Sequence, residues 1–205
     1  MRFLRKFTRR DLGFSVLTGL IAGSIAWRVL LYLRVPEIQS FPWAGLIVII
    51  PILWIAGVML GYLLGQRLKF FDQFGKFAAI GFTNFSVNAG VLNVLLASTG
   101  YTRGRGYSLI NSIAFIVSLL SSYIWNKYWA FKSDKNFQAR GEFVKFFIVT
   151  LIAFGVSITV ASVVVNYIHP ALGLNPHQWA NIAAVIGSAI GLVFSFVGFR
   201  LAVFR

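Results

Sequence analysis

The feature of this sequence that most constrains its fold is a series of long apolar runs. A transmembrane helix needs about 20 consecutive, mostly apolar residues, and lipid leaves the backbone of such a run no partner outside a helix. Composition agrees, because 58% of the residues are hydrophobic and 12% are charged, against about half and a quarter in soluble domains. We predict an all-α integral membrane protein with six transmembrane helices. The expected spans are residues 12–33, 42–64, 76–96, 111–131, 143–168 and 179–204.

The first apolar run follows a basic segment, residues 1–10, which is also how a signal peptide begins. Ser24-Ile25-Ala26 resembles a cleavage site, but apolar residues resume after Arg28 and continue to Leu33. We therefore expect a retained membrane helix. The long side chain of Arg28 is expected to reach the interface, with a contact to a lipid phosphate as the alternative.

The lysines and arginines predict the orientation of the six spans. Fifteen of the nineteen fall on the side that holds both termini, and cytoplasmic loops are the ones enriched in these residues. Both termini are therefore expected to be cytoplasmic. The four on the opposite side are Arg28, Arg34, Arg103 and Arg105.

The last four spans contain a repeat. The run 111–131 ends in an asparagine, a lysine and aromatic residues, and the C-terminus matches it at an offset of 73. Each copy has two spans, so the copies, about residues 74–131 and 143–204, are parallel. Some transport folds are built in this way with the site between repeats, although inert bundles also arise by duplication. The matching pairs are Ser122 with Ser195, Lys127 with Arg200 and Phe131 with Phe204, and Lys76 with Lys145 at an offset of 69.

Small residues recur at a spacing of four in three spans, which predicts close helix packing in the membrane. They are Gly19 and Gly23, then Gly57, Gly61 and Gly65, and finally Gly187, Gly191 and Ser195.

The sequence offers no recognisable catalytic residues, metal ligands or cofactor motif, and we predict a protein that is not an enzyme. The basic residues punctuate membrane spans, so nucleic acid is not an expected partner. Every carboxylate falls at a span end or in a loop, so we expect no buried carboxylate that could relay protons or act as a general base. The acidic residues are Asp11, Glu37, Asp72, Asp134 and Glu142.

Two sets of polar residues are candidates for binding. Four cations at the cytoplasmic ends of spans, related by the repeat, are suited to a lipid phosphate, although ordinary topogenic flanks have the same pattern. Amides and hydroxyls on inward faces are suited to a sugar headgroup, although spacing alone favours bonds between helices. The cations are Lys76, Lys127, Lys145 and Arg200, and the polar groups are Asn84, Asn88, Ser118, Ser122 and Asn126.

Four short segments give the chain a family resemblance over roughly residues 74–205. They are KFAAIGFTNFSVNAG at 76–90, NKYWAF at 126–131, EFVKFF at 142–147 and FRLAVF at 199–204. Together they resemble the GtrA family of four-span proteins, which is related to the membrane domain of some dolichyl-phosphate mannose synthases. By this resemblance, Gly81 and Asn84 match the first motif, and Asn126, Lys127, Trp129 and Phe131 match the second. Ala202 departs from the pattern, since an aromatic residue is common there.

The resemblance implies translocation of a polyprenyl-phosphate-linked monosaccharide across the cytoplasmic (inner) membrane, for glycosylation of cell-surface polysaccharide. The alternative is a membrane scaffold that recruits a partner glycosyltransferase. A multidrug-type exporter is disfavoured, because no acidic residue is embedded in a span. The expected domains are residues 1–70, a basic segment with a two-helix hairpin outside the family pattern, and residues 71–205, the GtrA-like part.

In the expected mechanism, the isoprenoid tail stays in lipid while the phosphate meets the cations and the sugar follows the amides. Anionic membrane lipids are expected partners of the basic side. Six spans are few to enclose a pathway, so a homo-oligomer is also considered.

Overall fold

The computed structural model describes residues 6–37, 42–132, 139–170 and 176–204. Within these ranges the chain is helical and forms no strand, and its six helices are each long and apolar enough to cross a membrane. This confirms the predicted fold class. The helices are α1 (Arg9–Tyr32), α2 (Leu46–Leu64), α3 (Phe71–Thr99), α4 (Gly104–Trp125), α5 (Ala139–Tyr167) and α6 (Pro176–Gly198).

Local sequence explains where α1 and α3 begin and end. Thr8 caps α1, and it exchanges hydrogen bonds with Asp11 in a capping box, which satisfies amides that a helix start leaves free. The third helix starts at Phe71, earlier than the predicted residue 76, because the aromatic segment before Lys76 continues the helix. It ends at Thr99, and the following residue, Gly100, has a φ of 69°, which glycine adopts at little cost.

The chain forms two compact units, Met1–Lys132 and Ser133–Arg205. In the first unit α1 packs on both α2 and α3, and α3 packs on α4. The N-terminal hairpin is thus part of one unit with α3 and α4. The predicted division at residues 70 and 71, drawn from the limits of the family resemblance, falls inside this unit.

Glycines allow the close helix contacts of the first unit. A methyl group at Gly19 of α1 would lie 2.5 Å from Cα of Pro51 in α2, and one at Gly61 would lie 2.8 Å from the carbonyl oxygen of Phe71. Gly75 of α3 faces the backbone of Gly57 in the same way, at 2.9 Å. The spacing of small residues therefore marks real crossing points in this unit.

The second unit is a hairpin of α5 and α6. A methyl group at Gly191 would lie 3.0 Å from the carbonyl oxygen of Ala153, so the helices are in backbone contact there. The indole of Trp179 donates a hydrogen bond to the carbonyl of Ile168 at 3.0 Å and closes the far end of the hairpin.

Each of the helices α4 and α6 is followed by a π-helical turn. The two turns are 73 residues apart, which is the offset of the predicted repeat. They span Asn126–Ala130 and Phe199–Val203. The aromatic ring after the first turn, Phe131, packs 6.3 Å from Phe77, and the corresponding ring centroids of Phe204 and Phe146 are 6.2 Å apart. Such turns are rare and often occur at functional sites, which directs attention to these helix ends.

Candidate functional site

The centre of the polar end of the first unit is a buried carboxylate. Asp11, in the first turn of α1, is completely buried. Its Oδ1 accepts hydrogen bonds from Nζ of Lys76 at 2.6 Å and Nε1 of Trp129 at 3.2 Å, and its Oδ2 accepts one from the hydroxyl of Tyr62 at 2.8 Å. Thr8 adds two more, from its amide at 3.2 Å and its hydroxyl at 2.9 Å. Four parts of the chain therefore meet on one anion.

This arrangement corrects the prediction that no carboxylate is buried. Asp11 lies at the end of a span, as expected, but α2, α3 and the turn after α4 supply its partners and cover it. A buried carboxylate is tolerated only when it is paired and hydrogen-bonded, and Asp11 is both. It is already paired with a cation, so the arrangement does not present it as an open proton acceptor.

The first candidate cation, Lys76, is the counter-ion of Asp11. Its side chain is 4% exposed, and Nζ also lies 5.2 Å from the ring centroid of Tyr62. Its charge is thus neutralised inside the protein, and an incoming phosphate would have to displace Asp11 to reach it. The structure gives Lys76 a structural partner that the sequence did not reveal.

Further contacts attach the start of α1 to the same end of the unit. The ring of Phe14 stacks on Trp129 with 5.7 Å between centroids, and Arg10 donates to the carbonyl oxygen of Tyr128. A second ion pair joins Lys6 to Asp72 at 2.7 Å, with both side chains partly exposed. The N-terminal hairpin is therefore held by polar contacts as well as by glycine packing.

The turn after α4 holds Asn126 and Lys127, two of the candidate residues. Asn126 is 1% exposed, and its Nδ2 donates to the carbonyl of Ser122 at 2.8 Å and to the Ser122 hydroxyl at 3.3 Å. Its Oδ1 is buried and accepts no hydrogen bond within the described ranges. Lys127 is also buried, with Nζ 3.2 Å from the hydroxyl of Tyr123 and 5.4 Å from the ring centroid. The buried cation Lys127 therefore directly follows Asn126, whose side-chain oxygen accepts no hydrogen bond from the described residues.

The inward amides of α3 are the other polar candidates. In Asn84 both amide atoms are buried, and neither has a partner in the part of the chain that the structure describes. Asn88, one turn further, is half-buried. Asn84 lies seven residues, about 10 Å, along α3 from Phe77, whose ring packs on Phe131 after the turn that holds Asn126.

The remaining candidates, Lys145 and Arg200, belong to the second unit, and both are exposed. In sequence, Lys145 directly precedes Phe146 and Arg200 directly follows Phe199. The rings of Phe146 and Phe199 stack on each other with 4.4 Å between their centroids. In their exposure, Lys145 and Arg200 differ from Lys76 and Lys127, their sequence counterparts, which are buried.

Sequence reasoning missed the importance of Asp11, Tyr62 and Thr8. One signal was present, because a threonine followed three residues later by an acid before an apolar run is the pattern of a capping box. That pattern predicts the helix start but not the burial. For Trp129 the sequence indicates only a match to a family motif.

Apolar spans, glycine-mediated packing and a polar end with buried amides define a multi-pass membrane protein. Comparison with known families gives a more specific assignment. A family model described as "GtrA/DPMS, transmembrane domain" matches residues 76–204, more than half of the chain. The chain belongs to this family, which confirms the resemblance, and membership indicates a membrane protein involved in the handling of glycosyl lipids. No curated protein and no solved structure matches the chain.

Proposed function

We propose that this protein flips a polyprenyl-phosphate-linked monosaccharide across the cytoplasmic membrane, for glycosylation of cell-surface polysaccharide. The observation that carries the proposal is the set of buried amide atoms that have no partner among the described residues, both of Asn84 and Oδ1 of Asn126, the latter directly before the buried cation Lys127. An amide that supplies acceptors and donors suits a sugar, and a fixed cation suits a phosphate.

The state of the amides favours a ligand over the alternative of bonds between helices. An unsatisfied buried polar group costs about 1–3 kcal/mol, so such groups are rare unless something else meets them. Among the described residues, the side chain of Asn126 donates only to Ser122, one turn earlier, and the side chain of Asn84 makes no hydrogen bond. Neither amide links α3 to α4. Hydroxyl groups of a sugar, which both donate and accept, would satisfy the same atoms.

The cations take different parts in the proposed mechanism. Desolvation of the phosphate is the main barrier to its passage, and a fixed ammonium group lowers it. Lys76 is the counter-ion of Asp11, and we assign the phosphate to the buried ammonium group of Lys127, next to Asn126. The exposed Lys145 and Arg200 are available to attract the headgroup from the membrane surface. The isoprenoid tail stays in lipid throughout.

The rival is a membrane scaffold that recruits a glycosyltransferase and moves no lipid. Family membership is compatible with both functions. The exposed cations Lys145 and Arg200 would then contact the partner enzyme, and the unsatisfied amides would have no ligand. A transport assay separates the two functions.

The test uses purified protein in liposomes with a short-chain polyprenyl-phosphate sugar and a membrane-impermeant reagent that modifies only outward-facing sugar. We expect more sugar to be modified than in empty liposomes, and Lys127→Ala to remove most of the excess. The matched control is Lys69→Ala, which removes an exposed lysine between α2 and α3 and should transport normally. A fluorescent phosphatidylcholine in the same liposomes should stay in its leaflet.

Accessibility equal to that in empty liposomes, under all ion gradients, would refute the flippase proposal. Co-purification of a glycosyltransferase whose activity depends on this chain would then establish the scaffold. Normal transport by a well-expressed Lys127→Ala protein would support the flippase proposal but would show that Lys127 is not part of the site.

A further inference from the structure

A groove runs between α1 and α3 of the first unit, away from the polar end. It has a volume of about 640 Å³ and is bounded by residues of 24–32 on α1 and of 87–97 on α3. The two helices touch at one end of this stretch, where a methyl group at Gly90 would lie 2.5 Å from Cγ2 of Ile25. The crossing of α1 and α3 thus marks the inner end of the groove.

The lining has the chemistry of a lipid site. Its walls are mainly valine, leucine, isoleucine and alanine, and Arg28 is the one charged residue among those that line it. Among the described residues no carboxylate pairs with Arg28; its guanidinium lies 5.9 Å from the ring centroid of Trp27. The side-chain nitrogen Nδ2 of Asn93 donates a hydrogen bond to the carbonyl oxygen of Ala89 at 2.8 Å. An apolar channel with one cation is complementary to an apolar chain with one anionic head.

The length of the groove indicates how much lipid it holds. The stretch covers nine residues of α1 and eleven of α3, or about 13 to 16 Å at 1.5 Å per residue. This is about half of the 30 Å hydrocarbon layer, so the groove serves one leaflet. Arg28 lies seventeen residues after Asp11, about 25 Å along α1, which puts it near the opposite face of the membrane from the polar end.

We propose that this groove binds one acyl chain of an anionic phospholipid from that leaflet, with the lipid phosphate on the guanidinium of Arg28. Arginine pairs with phosphate through two parallel hydrogen bonds, and its apolar stem can lie along the groove while the head reaches the interface. A carrier lipid that changes leaflet is a poorer occupant, because the groove ends where α1 meets α3. The site depends on α1, which lies outside the matched family region.

The test is native mass spectrometry of the full-length protein in detergent, titrated with phosphatidylglycerol and phosphatidylcholine of identical acyl chains. We expect phosphatidylglycerol to bind more tightly, and Arg28→Gln to weaken it about ten-fold or more, which is the loss of one charge-assisted contact. The control is Arg103→Gln, which removes an exposed cation from the loop between α3 and α4, outside the groove. This variant should bind phosphatidylglycerol like the wild type. Val94→Trp, at a 67% exposed residue of the groove wall, should fill the space and weaken both lipids without unfolding the chain.

Equal affinity for the two lipids, or unchanged phosphatidylglycerol binding in Arg28→Gln, would overturn the proposal. Displacement of phosphatidylglycerol by a polyprenyl phosphate, lost in Arg28→Gln, would assign the groove to the carrier lipid instead. Displacement by inorganic phosphate alone would show a phosphate site that does not need an acyl chain. These outcomes are independent of whether the protein flips lipid.

Discussion

The buried pair of Asp11 and Lys76 makes the sharpest prediction about stability. The variant Asp11→Asn keeps the shape of the side chain and one acceptor oxygen but leaves the ammonium group of Lys76, whose side chain is 4% exposed, without a counter-ion. Removal of one partner of a buried pair costs about 3–5 kcal/mol. For a chain of this size each kcal/mol lowers the melting temperature by about 2–4 °C, so we expect a drop of roughly 6–20 °C.

The double variant Asp11→Asn/Lys76→Met tests the cause. It removes the uncompensated charge and replaces the lysine stem with an apolar side chain of similar length, and exchange of a buried pair for uncharged groups is often neutral. We therefore expect the double variant to recover at least half of the lost stability. The stability that is not recovered reflects the hydrogen bonds that Tyr62 and Trp129 donate, because an amide oxygen accepts them less well than a carboxylate.

The assay is thermal unfolding of the detergent-solubilised protein, followed by tryptophan fluorescence, because Trp129 contacts the altered residue directly. The control is Lys6→Gln, which breaks the ion pair with Asp72 at a site where the lysine side chain is 42% exposed. An exposed pair contributes about 0–1 kcal/mol, so this variant should melt close to the wild type. A wild-type melting temperature for Asp11→Asn, or a double variant no more stable than the single one, would refute the reasoning.

Two further predictions concern packing and the unsatisfied amides. Gly19→Val should destabilise the protein by about 1–3 kcal/mol or more, because the added atoms of α1 collide with the backbone of Pro51 in α2. The control Gly13→Ala, at a position with no neighbour within 4 Å, should be neutral or slightly stabilising. Equal melting temperatures for the two variants would contradict this packing. Asn84→Leu should leave the melting temperature unchanged or higher, since the Asn84 side chain makes no hydrogen bond with the described residues, and yet reduce translocation in liposomes. A marked loss of stability would show that Asn84 has a structural role instead.

Much of the fold could be predicted because its signals are local. Each span is one continuous segment of mostly apolar residues, and a segment of that length has few alternatives to a membrane helix. The spacing of Gly19 and Gly23 also predicted close packing, although it did not say whether the hairpin would pack on itself or on the other helices. The structure shows α1 against both α2 and α3.

The candidate site was predicted less completely. The sequence predicts Lys76, Asn126 and Lys127 as candidates because they are cations or amides near the ends of spans, and in the structure they lie near the start of α3 and in the turn after α4. The sequence does not show which of their polar groups are paired with other parts of the chain. Lys76 is paired, whereas the Oδ1 of Asn126 is not satisfied by the described residues.

The sequence by itself determined the six membrane helices and the family, because these depend on the apolar length and order of residues along the chain. Only the tertiary structure decided that Asp11 is buried and that Lys76 is its partner, although 65 positions separate them. Nothing near either residue in the sequence marks this pairing. The free energy of a buried charge depends on which groups the fold brings within about 3 Å of it, and that is a property of packing.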